Sequence, residues 1–105
     1  MKIVEDVFRK LNKRNGSMSA YEYSTDWLKK SKGYYAYLKS SGEEAGYDAV
    51  LGLYGEALKR HNHWQRYIEN NKGKHEVSHL MPITAFYGEI ADTVLDSIRK
   101  TAIKM

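Results

Sequence analysis

Apolar residues recur at helical spacing through most of the chain. Ile3, Val4, Val7, Phe8 and Leu11 form one stripe and Asn15-Gly16 supplies a stop, which predicts a first amphipathic helix over residues 3–14. Its outer face carries Arg9, Lys10, Lys13 and Arg14. Ser19 followed three residues later by Glu22 is a capping-box pattern, opening a second helix that turns Tyr23, Trp27 and Leu28 inward. Ser31 is the expected cap of a short third helix, with Tyr34, Tyr35 and Leu38 on its packing side and an end near Ser41-Gly42.

A fourth helix begins near Tyr47, since Val50, Leu51, Tyr54, Leu58 and His61 continue one stripe through Trp64 and Ile68. Gly52 and Gly55 weaken it by roughly 1 kcal/mol each relative to alanine and are candidates for close packing. Asn70, Asn71 and Gly73 mark its end, and the polar stretch to Met81 reads as a loop. A strand-like fragment around Val77 is too short to build a sheet. Pro82 suits the first turn of a last helix, in which Ile83, Phe86, Tyr87, Ile90, Val94 and Ile98 form a stripe about four turns long. The pattern predicts an all-α chain of five helices.

With 105 residues, 42% of them apolar, the chain has material for one modest core. The absence of cysteine excludes disulfides, thiolate catalysis and cysteine-ligated zinc, and fits a reducing compartment. Met1-Lys2-Ile3-Val4-Glu5-Asp6 puts acids where a signal peptide needs an apolar run, and no stretch approaches the roughly eighteen apolar residues of a membrane span. A cytoplasmic location without membrane partners is expected. Charge is unevenly spread: residues 1–40 hold nine Lys/Arg against four Asp/Glu, whereas residues 41–105 hold eight against nine. The basic excess sits in the N-terminal part, as a polyanion-facing segment requires.

The stretch Ser19-Ala20-Tyr21-Glu22-Tyr23-Ser24-Thr25-Asp26-Trp27-Leu28-Lys29-Lys30-Ser31-Lys32-Gly33-Tyr34-Tyr35-Ala36-Tyr37-Leu38 resembles the Cro/C1 (lambda-repressor-like) helix-turn-helix family. The resemblance continues through Ala49-Val50-Leu51-Gly52-Leu53-Tyr54-Gly55-Glu56-Ala57-Leu58, similar to the family's next helix, and covers residues 1–60. It implies a lambda-repressor-like DNA-binding core over residues 1–60, with residues 61–105 as a helical extension for dimerisation or core packing. Two positions depart from the family. Lys29 and Lys30 stand where the family has glycine and an apolar residue, and a left-handed lysine costs roughly 1 kcal/mol more than glycine, so a reshaped or lengthened turn is expected. Ser24 stands where the family prefers alanine, a mild change in size.

A helix that enters the major groove needs small or long polar residues on its outer face near its N-terminus, which Lys32, Gly33, Ala36 and Lys39 supply. Tyr37 is placed to stack or hydrogen bond at the groove edge. By resemblance, Lys32, Gly33, Ala36 and Tyr37 are base-facing. Ser19, Tyr21, Lys29 and Lys30, at helix starts and the turn, are the expected phosphate contacts.

Other constellations point less far. His75-Glu76-Val77-Ser78-His79 fits H-E-x-x-H, but Gly73 and Pro82 crowd it, Glu89 is the only nearby third ligand, and a zinc-peptidase sheet is missing. A solvated loop is the favoured reading, with no metal, no cofactor and no enzymatic activity expected. His61 and His63 point to different faces of a helix and do not share a metal. Trp64 and Tyr67 read as packing or interface aromatics, and nine tyrosines suit interfaces in general. The last stripe needs a surface to bury it, and Ile83, Phe86, Ile90, Val94 and Ile98 are the expected homodimer interface. The expectation is a dimeric transcriptional regulator of double-stranded DNA. The alternative is a protein-interaction module of the same fold, such as an antagonist of another regulator.

Overall fold

The computed structural model describes residues 2–73 and 76–104. The protein is an all-α, five-helix domain, and no strand forms among the described residues, at Val77 or elsewhere. Helix α1 spans Lys2–Asn15. Helix α2 begins at Ala20 and continues past Glu22 as a π-helical turn over Tyr23–Trp27. Helix α3 spans Tyr34–Ser41, α4 spans Tyr47–Asn70, and α5 spans Met81–Lys104 after a 3-10 turn at Ser78–Leu80.

The local signals act as their chemistry requires. Ser19 Oγ accepts from the Glu22 amide at 3.0 Å and opens α2. Gly42, at φ 73°, ends α3 in the left-handed conformation that glycine takes without a steric cost. Helix α3 starts later than its sequence suggests. The Ser31 carbonyl accepts from the Tyr34 amide at 3.1 Å in a preceding turn, and Gly33, not Ser31, takes the N-cap position.

Helices α4 and α5, 24 residues each, pack along one another, with α1 against α5 and the π-helical turn against α4. The core gathers Val4, Val7 and Leu11 of α1, then Tyr23, Trp27 and Leu28, then Tyr35 of α3. Ala49, Leu53 and Ala57 of α4 and Tyr87, Ile90, Ala91 and Val94 of α5 complete it. Residues 1–60 and 61–105 thus share one core. Phe8, Tyr23 and Tyr35 meet with ring centroids 4.7–5.0 Å apart, and the buried Tyr23 hydroxyl donates to the Val4 carbonyl at 2.6 Å. Burial pushes the Tyr23 phenol well above its ordinary range, with Tyr35 adding to the effect. Among the described residues no helix is long and apolar enough to cross a membrane.

The last helix corrects one expectation. Ile90 and Val94, placed in a dimer interface from sequence, are 1% and 0% exposed inside the chain's own core. Ile83, Phe86 and Ile98 are partly buried and pack against that core, and the Arg14 guanidinium covers the Phe86 ring at 5.0 Å. The stripe is buried because α4 and α1 both lie against α5. Ile90→Ala should therefore cost about 2–5 kcal/mol of stability. Urea denaturation should show that loss with a midpoint independent of protein concentration, whereas a concentration-dependent midpoint would return the stripe to an interface.

Candidate nucleic-acid interface

The connection between α2 and α3 is fastened from three sides. In the π-helical turn the Leu28 amide donates to the Tyr23 carbonyl and the Lys30 amide to the Ser24 carbonyl, at 3.0 and 2.9 Å. This wide geometry leaves the Ser24 side chain fully buried between the two helices. Its hydroxyl donates to the Ala20 carbonyl at 2.7 Å and accepts from the Tyr35 amide at 2.9 Å. Ser24 thus caps the first turn of α3 from the preceding helix, satisfying an amide that has no partner inside its own helix. An alanine there would keep the size and lose both bonds.

Lys29 follows with φ 57°, the left-handed conformation that its sequence position raised as a cost. The connection is also long, running from Leu28 to Gly33 before α3 begins. Gly52 admits the turn onto α4, because a Cβ there would lie 3.1 Å from the Leu28 carbonyl oxygen. Gly55, in contrast, has open space around it. The Lys29 ammonium reaches Glu56 Oε1 at 2.7 Å, and Arg60 Nε reaches Glu56 Oε2 at 2.7 Å. Arg60 in turn lies 4.5 Å over the Trp27 ring and 5.9 Å over the Tyr87 ring. Burial alone would raise the Glu56 pKa, but hydrogen bonds from Lys29 and Arg60 outweigh it and hold the carboxyl below its ordinary value.

Lys30 pairs with Asp48 in the first turn of α4, and its ammonium lies 5.5 Å over the Tyr34 ring. The Tyr34 hydroxyl accepts from the Gly46 amide at 2.9 Å, tying α3 to the start of α4. Lys29 and Lys30, expected on phosphate, therefore direct their charges to Glu56 and Asp48.

The other predicted contacts lie on the surface. Lys32, Gly33, Ala36, Tyr37 and Lys39 are all exposed, while Tyr35 and Leu38 on the opposite side of α3 are buried. A Cβ at Gly33 would meet nothing within 4 Å. Ser19 and Tyr21 are exposed, and the Lys32 ammonium lies 5.8 Å over the Tyr21 ring, which joins the start of α2 to the start of α3. The Tyr37 hydroxyl donates to Glu43 at 2.8 Å. Lys39 lies 5.9 Å over the Tyr35 ring. On α1, Arg9 pairs with Glu5 and Asp6, whereas Lys10 and Lys13 are exposed.

Of the H-E-x-x-H stretch, residues 76–79 lie among the described residues. His75 lies outside the described residues. Glu76 Oε1 accepts from the Ser78 amide at 2.7 Å and so caps the 3-10 turn, while His79 is exposed. Among the described residues no group of three His, Cys, Asp or Glu side chains is placed to hold a metal.

Comparison by sequence decides the relationship: one family profile matches residues 4–84, from α1 into the start of α5. The chain belongs to DUF6626, a family of unknown function. No curated protein and no solved structure matches it. The DUF6626 match spans Ser24, the Lys29–Glu56–Arg60 cluster and the whole exposed face of α3.

Sequence reasoning missed Ser24, Glu56 and Arg60 as organising residues. A signal exists for the last two: Glu56 falls on the α4 face of Ala49, Leu53 and Ala57, and Arg60 follows it at the i,i+4 spacing of a helical ion pair.

Two outcomes follow. Ser24→Ala should destabilise the protein by about 1–3 kcal/mol, because it strands the buried Tyr35 amide; urea denaturation measures it, and a neutral effect would remove Ser24 as the cap. Glu56 has a folded pKa below its ordinary 4.5, so its stabilisation is present above that value and is lost as pH falls through the folded one. The stability gap between wild type and Glu56→Gln should hold steady from about pH 7 to about pH 5 and shrink on further acidification. A gap that is constant to about pH 3 would contradict the assignment.

Proposed function

We propose that the protein binds double-stranded DNA and acts as a transcriptional regulator of Cro/C1 type, with α3 as the helix that enters the major groove. The observation that carries this reading is the start of α3, where Lys32 in the preceding turn, Gly33 at the N-cap and Ala36 on the outer face of the helix are all exposed. Small residues let a helix backbone approach base edges, and the lysine supplies a donor for guanine or phosphate. The buried contacts of α3 fall on its other face, through Tyr35, Leu38 and the Ser24 cap. Ser19 and Tyr21 beside Lys32, with the exposed Lys39, serve the flanking phosphates. Lys29 and Lys30 act in this reading as turn fasteners and not as primary phosphate contacts.

A second reading is a protein-interaction module, favoured by the half-exposed rings of Tyr21 and Tyr37, at 56% and 51%, on the same part of the surface. The two readings separate in a binding titration. Fluorescence anisotropy with a panel of duplexes should give an affinity that falls linearly with salt on logarithmic axes, as condensed counterions leave the DNA. Lys32→Ala should reduce that slope by about 1 if it contacts phosphate, or relax specificity at one base pair if it contacts a base. Ala36→Glu should abolish site-specific binding with the circular dichroism spectrum unchanged. Absence of binding to every duplex at low salt would overturn the DNA reading and leave the protein-partner one.

A further inference from the structure

His61 of α4 packs directly against Gly88 of α5. A Cβ at Gly88 would lie 2.9 Å from His61 Nδ1, so glycine is what admits the imidazole between the helices. His61 Nδ1 lies 2.9 Å from the Thr84 carbonyl oxygen. A carbonyl only accepts, so Nδ1 carries a proton and donates to it. Beyond this contact the helices border a groove of about 440 Å³, which is within the size range of small-molecule sites.

The groove has an apolar lining from Ile68 of α4, Val77 of the connection and Ala85 of α5. Among the described residues its charged lining holds two carboxylates, Glu69 and Glu76, and one ammonium, Lys72, beside Gln65, Ser78 and Thr84. Glu69 Oε1 accepts from Gln65 at 3.4 Å, whereas Glu76 already accepts from the Ser78 hydroxyl and from the Ser78 and Val77 amides, which hold its carboxyl below the ordinary range. Among the described residues the charged lining is therefore negative by one unit around an apolar body.

We propose that this groove binds a small organic cation, a protonated amine on an alkyl or aryl body. The ammonium pairs with Glu69, and the body lies on Ile68, Val77 and Ala85. The site is independent of the DNA reading, since it uses none of the residues of α2 or α3.

The test is an amide chemical-shift titration of the full chain with hexylamine, hexanol and hexanoate, matched in length and different in charge. Hexylamine should give saturable shifts in residues 61–72 and 76–85, with affinity at least about tenfold tighter than hexanoate or hexanol, which corresponds to about 1.4 kcal/mol. Ala85→Phe, at an exposed helix position, should fill the groove and abolish the shifts while the melting temperature is kept. Glu69→Gln should weaken hexylamine several-fold without affecting hexanol. No saturable shift with hexylamine, equal binding of the three probes, or binding unchanged in both variants would overturn the proposal.

Discussion

A buried carboxylate holds the two halves of this fold in register. Glu56 is 7% exposed, and taking a carboxylate that far from water is unfavourable unless its oxygens are paired. Both are: Lys29 brings the α2–α3 turn to one, and Arg60 brings the Trp27 and Tyr87 rings to the other. Charged hydrogen bonds of this kind contribute about 1.5–3 kcal/mol, and the Lys29 arm falls at the low end because its side chain remains half in water. That is still enough to offset the roughly 1 kcal/mol of a left-handed lysine. A residue unsuited to the turn's backbone is thus retained by what its side chain reaches.

The consequence for α3 is positional. Ser24 fixes its first turn from α2, Tyr34 fixes its flank to Gly46, and Tyr35 and Leu38 seat it on the core. None of these contacts uses Lys32, Gly33 or Ala36. In the proposed reading, a short helix seated in this way, with Lys32 and Gly33 just before it and Ala36 on its outer face, presents the small and cationic residues that groove recognition asks for.

Periodicity and caps made most of the helices legible. The Ser19 cap, the Gly42 stop and the long stripe from Tyr47 to Asn70 were readable because each rests on local chemistry within a few residues. The exposed residues of α3 were readable for the same reason. What stayed hidden depends on contacts across the chain. Nothing local to Ser24 says that its hydroxyl meets an amide eleven residues on, and nothing local to Lys29 says that its charge is met by Glu56. The apolar stripe of α5 was visible, but its partner was not: a stripe that buries against α1 and α4 has the same spacing as one that buries against a second copy. Correcting it moves Ile90 and Val94 from an interface to the core.

The central claim, that the N-terminal outer face of α3 is the recognition surface, is most directly tested by amide chemical-shift mapping of the full chain saturated with duplex DNA. The largest changes should fall on residues 31–37, with smaller ones at 19–21, while residues 61–85 stay unperturbed. Changes centred on α4 or α5 with α3 unmoved would contradict it.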